Sequence, residues 1–246
     1  MTEPLFTEDS YLRDCAARIV ATGEHVAGAE ARPFVLLDRT VLYARSGGQP
    51  GDAGTLRWNG GEAPVTEAIK GEAGAVLHLL APGTAPPPVG AEVEVALDWA
   101  RRHRHMRMHT TMHLLCSVLP GIFATGNQIG ADKSRLDFDL AEPPAKEWLT
   151  ERLNALVAAD HPTGTSWITD AELDANPGMV RTLSVQPPRG AGRIRLVRIG
   201  PPDAPVDLQP CGGTHVRRTG EIGRVEVTKL ESKGRQNRRI HFILPE

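Results

Sequence analysis

The chain has 246 residues, of which 40% are hydrophobic and 24% are charged, a composition typical of a globular protein with a buried core. It contains no run of eighteen or more apolar residues, and the opening stretch MTEPLFTEDSYLRDC lacks the basic and apolar regions of a secretion signal. Three cysteines far apart in sequence argue against a disulfide framework. We therefore expect a cytoplasmic protein with reduced thiols.

The net charge of −2 hides a strong asymmetry along the chain. Residues 1–100 carry 7 Lys and Arg against 14 Asp and Glu, a net charge of −7, whereas residues 181–246 carry 13 against 6, a net charge of +7. This contrast indicates that the C-terminal part meets a polyanion. Arginine outnumbers lysine 23 to 5, which suits bidentate phosphate contacts but also fits a simple composition bias.

The first hundred residues are typical of short strands separated by Gly and Pro clusters. The predicted strands cover residues 34–37, 41–43, 55–58, 76–80 and 93–97. The segment APGTAPPPVG at residues 81–90 is a predicted surface loop. These features favour an antiparallel sheet or a small barrel.

The pattern changes at Asp98 to a helix that we expect to continue to about Leu119, where Pro120 and Gly121 end it. Apolar and metal-binding residue types recur in it at three- and four-residue steps, which predicts one shared buried face. These residues are Met106, His109, Met112, His113 and Cys116. A domain boundary is predicted near Asp98, between residues 1–97 and residues 98–246.

Beyond this helix, residues 146–159 predict a second amphipathic helix. Strands are predicted at 194–199, 223–230 and 239–244, and they flank the segment CGGTH at 211–215. The predicted fold class is α+β. It comprises an N-terminal β-barrel-like subdomain and a two-layer α+β domain with helices on one face of an antiparallel sheet.

Two short motifs indicate a metal site. His109 and His113 are four residues apart on a helix, so both rings reach one ion, although such pairs also arise by chance on buried faces. Cys211 and His215 add a thiolate and an imidazole, with two intervening glycines that let the backbone turn. Three nitrogens and one sulfur suit one tetrahedral zinc ion. The absence of a Glu beside either helical histidine excludes the metalloprotease motif HExxH.

Four blocks of the sequence resemble, in the same order, the editing domain of alanyl-tRNA synthetases and the free-standing alanyl-tRNA editing proteins of AlaX type. They are LDRTVLYARSGGQPGDAG (37–54), DWARRHRHMRMHTTMHLL (98–115), GNQIGADKSRLDFDL (126–140) and CGGTHVRRTGEIGRVEVTKLESKGRQNRRI (211–240). The chain departs from the family pattern at Ala44-Arg45 and at Ser46, which precedes two glycines rather than forming a run of three.

The resemblance implies a hydrolase that deacylates mischarged tRNA(Ala), chiefly seryl-tRNA(Ala), with zinc on the four residues named above. Thr40 stands where the family has a threonine suited to contact a seryl hydroxyl, although a strand threonine is the plainer explanation. Gln49 follows the glycine turn and is a candidate substrate contact, because the turn alone does not require it. Glycyl-tRNA(Ala) is a second candidate substrate.

Two clusters of cations are candidate tRNA contacts, with a solvated charged face as the alternative. They are Arg101, Arg102, Arg104 and Arg107 at the start of the first helix, and Lys233, Arg235, Arg238 and Arg239 near the C-terminus. The role of zinc stays open between water activation, substrate positioning and a structural function, because four protein ligands describe a closed site. Two other functions stay open as well. They are a zinc-stabilised RNA-binding module without catalysis and a zinc hydrolase that acts on a small ester or amide.

Overall fold

A computed structural model describes residues 1–28, 30–183 and 192–246. Strands dominate, and three α-helices occur among these residues, so the predicted α+β class is confirmed. The chain divides into two compact units, Met1–Arg104 and His105–Glu246. None of the described helices is both long and apolar enough to cross a membrane.

The first unit is built around a ring of antiparallel strands. They pair in the order β2-β3-β7-β6-β5-β8, and β8 pairs again with β2, which closes a barrel. Side chains alternate between the inside and the outside of the barrel along each strand. In β8, for example, Val93 and Val95 are buried while Glu92 and Glu94 are exposed. The strands of this unit are β1 (Glu3–Pro4), β2 (Asp14–Ala27), β3 (Glu30–Leu37), β4 (Arg39–Thr40), β5 (Gly54–Trp58), β6 (Gly61–Lys70), β7 (Val76–Leu80) and β8 (Glu92–Leu97).

Four of the five strands predicted in this region are confirmed and lie within β3, β5, β7 and β8. The strand predicted at 41–43 is wrong, although its side chains are buried. Side chains rather than a neighbouring strand accept two of its N–H groups, since Leu42 N–H donates to Thr40 Oγ1 (3.0 Å) and Tyr43 N–H donates to Asp52 Oδ2 (2.6 Å). The long strands β2 and β6 were not predicted, since polar residues, Gly23 and Pro64 interrupt their apolar pattern.

The N-terminal segment is tied to the barrel. Strand β1 pairs in parallel with β4, and the Thr2 hydroxyl donates to the carbonyl of Leu37 at 2.9 Å. Phe6 meets Tyr43 edge to face, with ring centroids 5.4 Å apart. These contacts give the first residues a structural role that no sequence motif indicated.

The second unit contains two antiparallel sheets rather than the single sheet predicted. One has the strand order β14-β15-β10-β9 and the other β11-β12-β13. The single-sheet prediction was wrong because the sequence analysis missed, among other strands, β9, β10 and β13, which together contain one β-branched residue. These strands are β9 (Ala124–Gln128), β10 (Lys133–Asp139), β11 (Thr163–Ile168), β12 (Ile194–Ile199), β13 (Asp207–Pro210), β14 (Glu226–Ser232) and β15 (Asn237–Ile243).

Three helices accompany these strands: α1 (Trp99–Ser117), α2 (Lys146–Ala158) and α3 (Asp170–Ala175). The first two confirm the predicted helices to within two residues at each end. Helix α2 buries Leu149, Leu153 and Val157, a single stripe at four-residue spacing. Helix α1 is less amphipathic than predicted, since every side chain from 108 to 116 is buried. This stretch of the helix therefore lies in the interior of the second unit.

Candidate metal centre

Helix α1 supplies two imidazoles to the candidate site. His109 and His113 lie one turn apart, both buried, with ring centroids 5.4 Å from each other. Their helix is regular here because the segment contains no Gly or Pro between Trp99 and Ser117. The spacing alone therefore places both rings on one side of the helix.

A loop directly after β13 supplies the thiol and the third imidazole. Arg195 of β12 fixes this loop, because its Nη1 donates to the carbonyl oxygens of Cys211 (3.0 Å) and Gly213 (2.9 Å). The Cys211 N–H in turn donates to the Arg195 carbonyl at 3.1 Å. Two donors from one guanidinium hold the turn in which Cys211 and His215 converge.

The structure brings the four predicted ligands together. One potential ligand atom from each of His109, His113, Cys211 and His215 lies within 4.8 Å of all the others. Cys211 Sγ is 3.5 Å from His109 Nε2 and 3.3 Å from His215 Nε2. Four donors this close, three of nitrogen and one of sulfur, form a group that could hold one metal ion.

The electrostatics of the group favour the thiolate. Burial alone would raise the pKa of the Cys211 thiol, but His109 and His215 outweigh it and lower that pKa well below its ordinary value. Burial, followed by the charge of His109, lowers the pKa of His215 well below its usual range. The thiolate and the neutral imidazole are the forms that bind metals.

His113 responds in the opposite direction. Burial acts to lower its pKa, but the hydrogen bond to Asp207 and the contact with Cys211 outweigh burial and raise the pKa to about 10. The bond joins His113 Nδ1 to Asp207 Oδ2 at 2.8 Å. Without a bound ion, the favoured form of His113 is therefore an imidazolium beside the Cys211 thiolate. A metal ion that binds this ring must displace one of its two N–H protons.

Polar residues behind the ligands were missed by the sequence analysis. Asp207 contacts His113, Gln209 contacts Asp207 at 2.9 Å, and the hydroxyl of Thr110 lies 3.1 Å from His215 Nδ1. One signal could have revealed the first two, because polar residues two apart in a strand share a face. Their position just before Cys211 directs that face toward the ligand loop.

The two predicted substrate contacts, Thr40 and Gln49, lie in the first unit and are fully buried. Thr40 Oγ1 accepts the Leu42 N–H and lies 2.8 Å from His78 Nε2, a buried histidine that the sequence analysis also missed. Gln49 closes a two-residue turn in which its N–H donates to Ser46 O at 2.9 Å. The intervening glycines have φ of 57° and 87°, which only glycine adopts readily.

Comparison with known proteins gives matches in both units. Residues 10–101 match the family described as tRNA synthetases class II (A). Residues 194–241 match the family described as threonyl and alanyl tRNA synthetase second additional domain. The alanyl-tRNA editing protein AlaX-M of Methanosarcina mazei is 35% identical over 99% of this chain and 97% of its own length. The chain belongs to the alanyl-tRNA editing protein family.

Other relatives are longer than this chain. AlaX-L of Pyrococcus horikoshii is 32% identical over 98% of this chain and 58% of its own length. The alanine–tRNA ligase of Pyrobaculum arsenaticum is 37% identical over 94% of this chain but only 25% of the ligase. The same sequence unit thus occurs both inside a ligase and in separate editing proteins.

One of the four arginines at the start of α1 that were predicted to bind RNA is not accessible to RNA. Arg102 is fully buried, and its guanidinium forms an ion pair with Asp52, with Nε 2.8 Å from Oδ2. It also donates to the carbonyls of Ser10 (2.8 Å) and Val41 (2.6 Å). The prediction that Arg102 contacts RNA is therefore corrected, because its guanidinium is fully buried and each of its three nitrogens already donates a hydrogen bond inside the first unit.

The other arginines of this cluster are half-buried. Arg101 donates to the Gly51 carbonyl at 3.2 Å, and Arg107 Nε donates to the Ile222 carbonyl at 2.8 Å. Arg104 is also half-buried. All three residues keep part of their surface in solvent, whereas Arg102 keeps none.

The C-terminal cations cluster around the β14–β15 hairpin. Arg239 makes a bidentate pair with Asp137, with both N–O distances 2.8 Å, so that carboxylate offsets its charge. Lys233 pairs with Glu231 at 3.1 Å, and Arg238 donates to the Gly234 carbonyl at 2.7 Å. Arg235 is exposed at the hairpin turn. Lys233 and Arg235 are thus the most accessible cations of this group.

Proposed function

We propose that this chain is a trans-editing hydrolase that deacylates mischarged tRNA(Ala), chiefly seryl-tRNA(Ala). Glycyl-tRNA(Ala) is the second substrate to measure. The observation that carries the proposal is the intact group of three histidines and one cysteine in a chain of the alanyl-tRNA editing family. In the reaction, water attacks the ester carbonyl, and the products are free serine and the terminal ribose hydroxyl of tRNA(Ala).

The donor set supports zinc as the resident ion. A thiolate and three imidazoles within 4.8 Å fit the ligand types and tetrahedral number of Zn²⁺ better than those of the oxygen-preferring ions. When bound, zinc supplies a positive charge that polarises and orients polar groups of the substrate. We propose this direct role rather than a purely structural one. Full activity of folded, metal-free protein would contradict it.

The need for editing follows from the limits of pocket selectivity. A pocket shaped for alanine cannot strongly reject serine, because one added hydroxyl changes binding by only about a hundredfold. An editing site reverses the preference when it offers a polar partner to that hydroxyl, since alanine leaves the partner unsatisfied at a cost of about 1–3 kcal/mol. A serine-selective hydrolase therefore complements an alanine-selective ligase.

We propose that Thr40 and Gln49 contact the aminoacyl group. Thr40 Oγ1 has two partners among the described residues, Leu42 N–H and His78 Nε2, which leaves one acceptor position of a hydroxyl unused. A seryl hydroxyl can donate to that position, whereas an alanyl methyl cannot. Gln49 offers both an amide donor and a carbonyl acceptor. Because both residues are buried, the contact requires neighbouring side chains to move.

For tRNA(Ala), we propose phosphate contacts from the accessible cations. These are Arg101, Arg104 and Arg107 of α1, and Lys233, Arg235 and Arg238 of the hairpin, with Arg239 a weaker candidate because Asp137 already pairs with it. Residues 98–246 form the metal-binding editing part and residues 1–97 the barrel part in this proposal. Such contacts give affinity without reading sequence.

The deciding experiment compares zinc-loaded protein on seryl-tRNA(Ala) and alanyl-tRNA(Ala), beside two cysteine variants. Cys211→Ala removes the thiolate ligand, while Cys15→Ala removes a cysteine of the first unit that lies outside the ligand group. We expect fast, serine-selective release by the wild-type protein and by Cys15→Ala, and loss of release in Cys211→Ala. No release by folded, zinc-bound protein would overturn the proposal.

One observation favours a second candidate function. The full burial of Thr40 and Gln49 suits a zinc-stabilised tRNA-binding module without catalysis. Such a module would bind tRNA(Ala) with a strong salt dependence and leave the ester intact. Single-turnover deacylation, measured at protein concentrations that saturate the tRNA, separates the two candidates.

A further inference from the structure

The first observation concerns the carboxylate behind His113. Asp207 Oδ2 lies 2.8 Å from His113 Nδ1, and both side chains are buried. An ionised carboxylate only accepts hydrogen bonds, so Nδ1 of His113 must carry a proton in this pair. The other ring nitrogen, Nε2, is then the one left to bind an ion.

The tautomer of His215, a second candidate ligand, follows in the same way from its contact with the neutral hydroxyl of Thr110. The Thr110 hydroxyl donates to the Met106 carbonyl at 2.9 Å and therefore accepts at its oxygen from His215 Nδ1 at 3.1 Å. This commits Nδ1 of His215 as a donor. Its Nε2, which lies 3.3 Å from Cys211 Sγ, faces the other ligands.

Asp207 is itself held in place. The Gln209 side chain donates from Nε2 to the same Asp207 oxygen at 2.9 Å, and both residues are buried on one side of β13. A buried carboxylate is costly unless it is hydrogen-bonded. Gln209 and His113 together supply that bonding, so the carboxylate is fixed in orientation before any ion binds.

We propose that Asp207, held by Gln209, is a positioning residue of the metal centre that commits the Nδ1–H of His113 and adds a negative charge behind this ligand. The inference rests on the metal ion of the proposed function and concerns the residues that contact its ligands. A fixed imidazole with an anionic partner binds a divalent cation more tightly, because neither ring rotation nor tautomer exchange has to be suppressed on binding. Removal of such partners weakens metal affinity roughly 10- to 100-fold.

A set of variants separates the charge of Asp207 from its hydrogen bond. Asp207→Asn keeps an oxygen that accepts from His113 but removes the charge, Asp207→Ala removes both, and Thr110→Val removes the neutral acceptor of His215. Asp203→Asn, an exposed position on the chain segment before β13, is the matched control. Zinc affinity is measured by competition with a chromophoric chelator, and cobalt substitution reports the ligand geometry by absorption.

We expect zinc affinity to fall roughly 10- to 100-fold in Asp207→Ala and less in Asp207→Asn and Thr110→Val, with Asp203→Asn unchanged. The thermal stability of the metal-free protein is the readout for a merely structural role of Asp207. With such a role, the variants would lower this stability, while the zinc affinity of the folded protein would stay unchanged. Nitrogen NMR of the imidazole rings should show the proton of His113 on Nδ1 in the zinc-loaded wild-type protein.

The inference is overturned by a folded Asp207→Ala variant with wild-type zinc affinity and cobalt spectrum. If that variant does not fold, wild-type affinity in Asp207→Asn overturns it equally. None of these measurements uses tRNA. A wild-type protein that binds zinc as expected but releases no serine would refute the proposed catalysis and leave the inference standing, whereas a wild-type protein that binds no zinc refutes both.

Discussion

At the scale of single residues, the clearest contrast is between two neighbouring arginines of α1. Arg101 is half-buried, whereas Arg102 is fully buried against Asp52. Burial raises the pKa of Asp52, and the charge and hydrogen bond of Arg102 oppose that rise. The two residues look alike in the sequence, but only Arg102 lies fully in the interior.

We predict that Arg102→Met destabilises the first unit by about 3–5 kcal/mol, because it leaves a buried carboxylate without its partner. Chemical denaturation followed by a probe in the barrel measures this loss. Arg104→Met, on the same helix but half-buried, is the control and should cost much less. A loss confined to tRNA affinity, with stability unchanged, would contradict the structural role of Arg102.

A second prediction concerns His78. Burial lowers its pKa from 6.5 to about 4, against the opposing carbonyls of Val35 and Val76. Between pH 6.5 and about 4, His78 is protonated in the unfolded chain but stays neutral in the folded protein. The free energy of unfolding should therefore fall as the pH drops from about 6.5 to about 4, by about 3 kcal/mol from this residue.

The measurement is urea denaturation across this pH range for the wild-type protein and His78→Gln, which has no titrating side chain at this position. The difference between the two proteins isolates His78 from the carboxylates that also titrate. Parallel stability curves would show that His78 keeps an ordinary pKa.

At the scale of elements, the β14–β15 hairpin is the part that the charge asymmetry singled out. Its turn carries Lys233 and Arg235, which are exposed, while Arg239, two residues into β15, is paired with Asp137. Cations close together in one hairpin therefore differ in whether a carboxylate already offsets their charge.

We predict that Lys233→Ala with Arg235→Ala weakens tRNA(Ala) binding and lowers the slope of log affinity against log salt by about 1 for each phosphate that these side chains neutralise. The weakening should be similar for other tRNAs, since phosphate contacts do not read bases. Arg57→Ala with Lys70→Ala, which removes two cations of the first unit, is the control for net charge. Equal slopes in both double variants would locate the tRNA contact elsewhere.

At the scale of the whole molecule, the four candidate metal ligands all belong to the second unit. They come from α1 and from the loop after β13, which are about a hundred residues apart in the chain. An ion bound here therefore closes a long loop and stabilises the fold of that unit.

We predict that chelation of the metal lowers the stability of the second unit and leaves the barrel largely unaffected. At free zinc a hundredfold above its dissociation constant, the bound ion contributes about 2.7 kcal/mol. Hydrogen exchange with and without chelator should show faster exchange in α1 around His109 and in the 211–215 loop, and unchanged exchange in β2 and β3. Faster exchange in the barrel to the same extent would contradict this localisation.

The sequence alone determined which four side chains form the candidate ligand group, because each of its two halves is a local motif. The spacing of His109 and His113 needs only a helix, and the segment from Cys211 to His215 needs only a turn that glycines permit. Helices α1 and α2 and the strands rich in β-branched residues were predictable for the same reason, since periodicity and propensity are properties of neighbouring residues.

Only the tertiary structure decided which polar groups meet across the chain. Arg102 is buried because Asp52, fifty positions away, is brought to its guanidinium, and nothing in the run of arginines marks it out. The residues at 41–43 are buried without joining a strand, and the side chains of Thr40 and Asp52 accept the N–H groups of Leu42 and Tyr43. Asp207 and Thr110 reach His113 and His215 in the same way. Such pairings depend on the path of the backbone between distant segments, which local patterns do not encode.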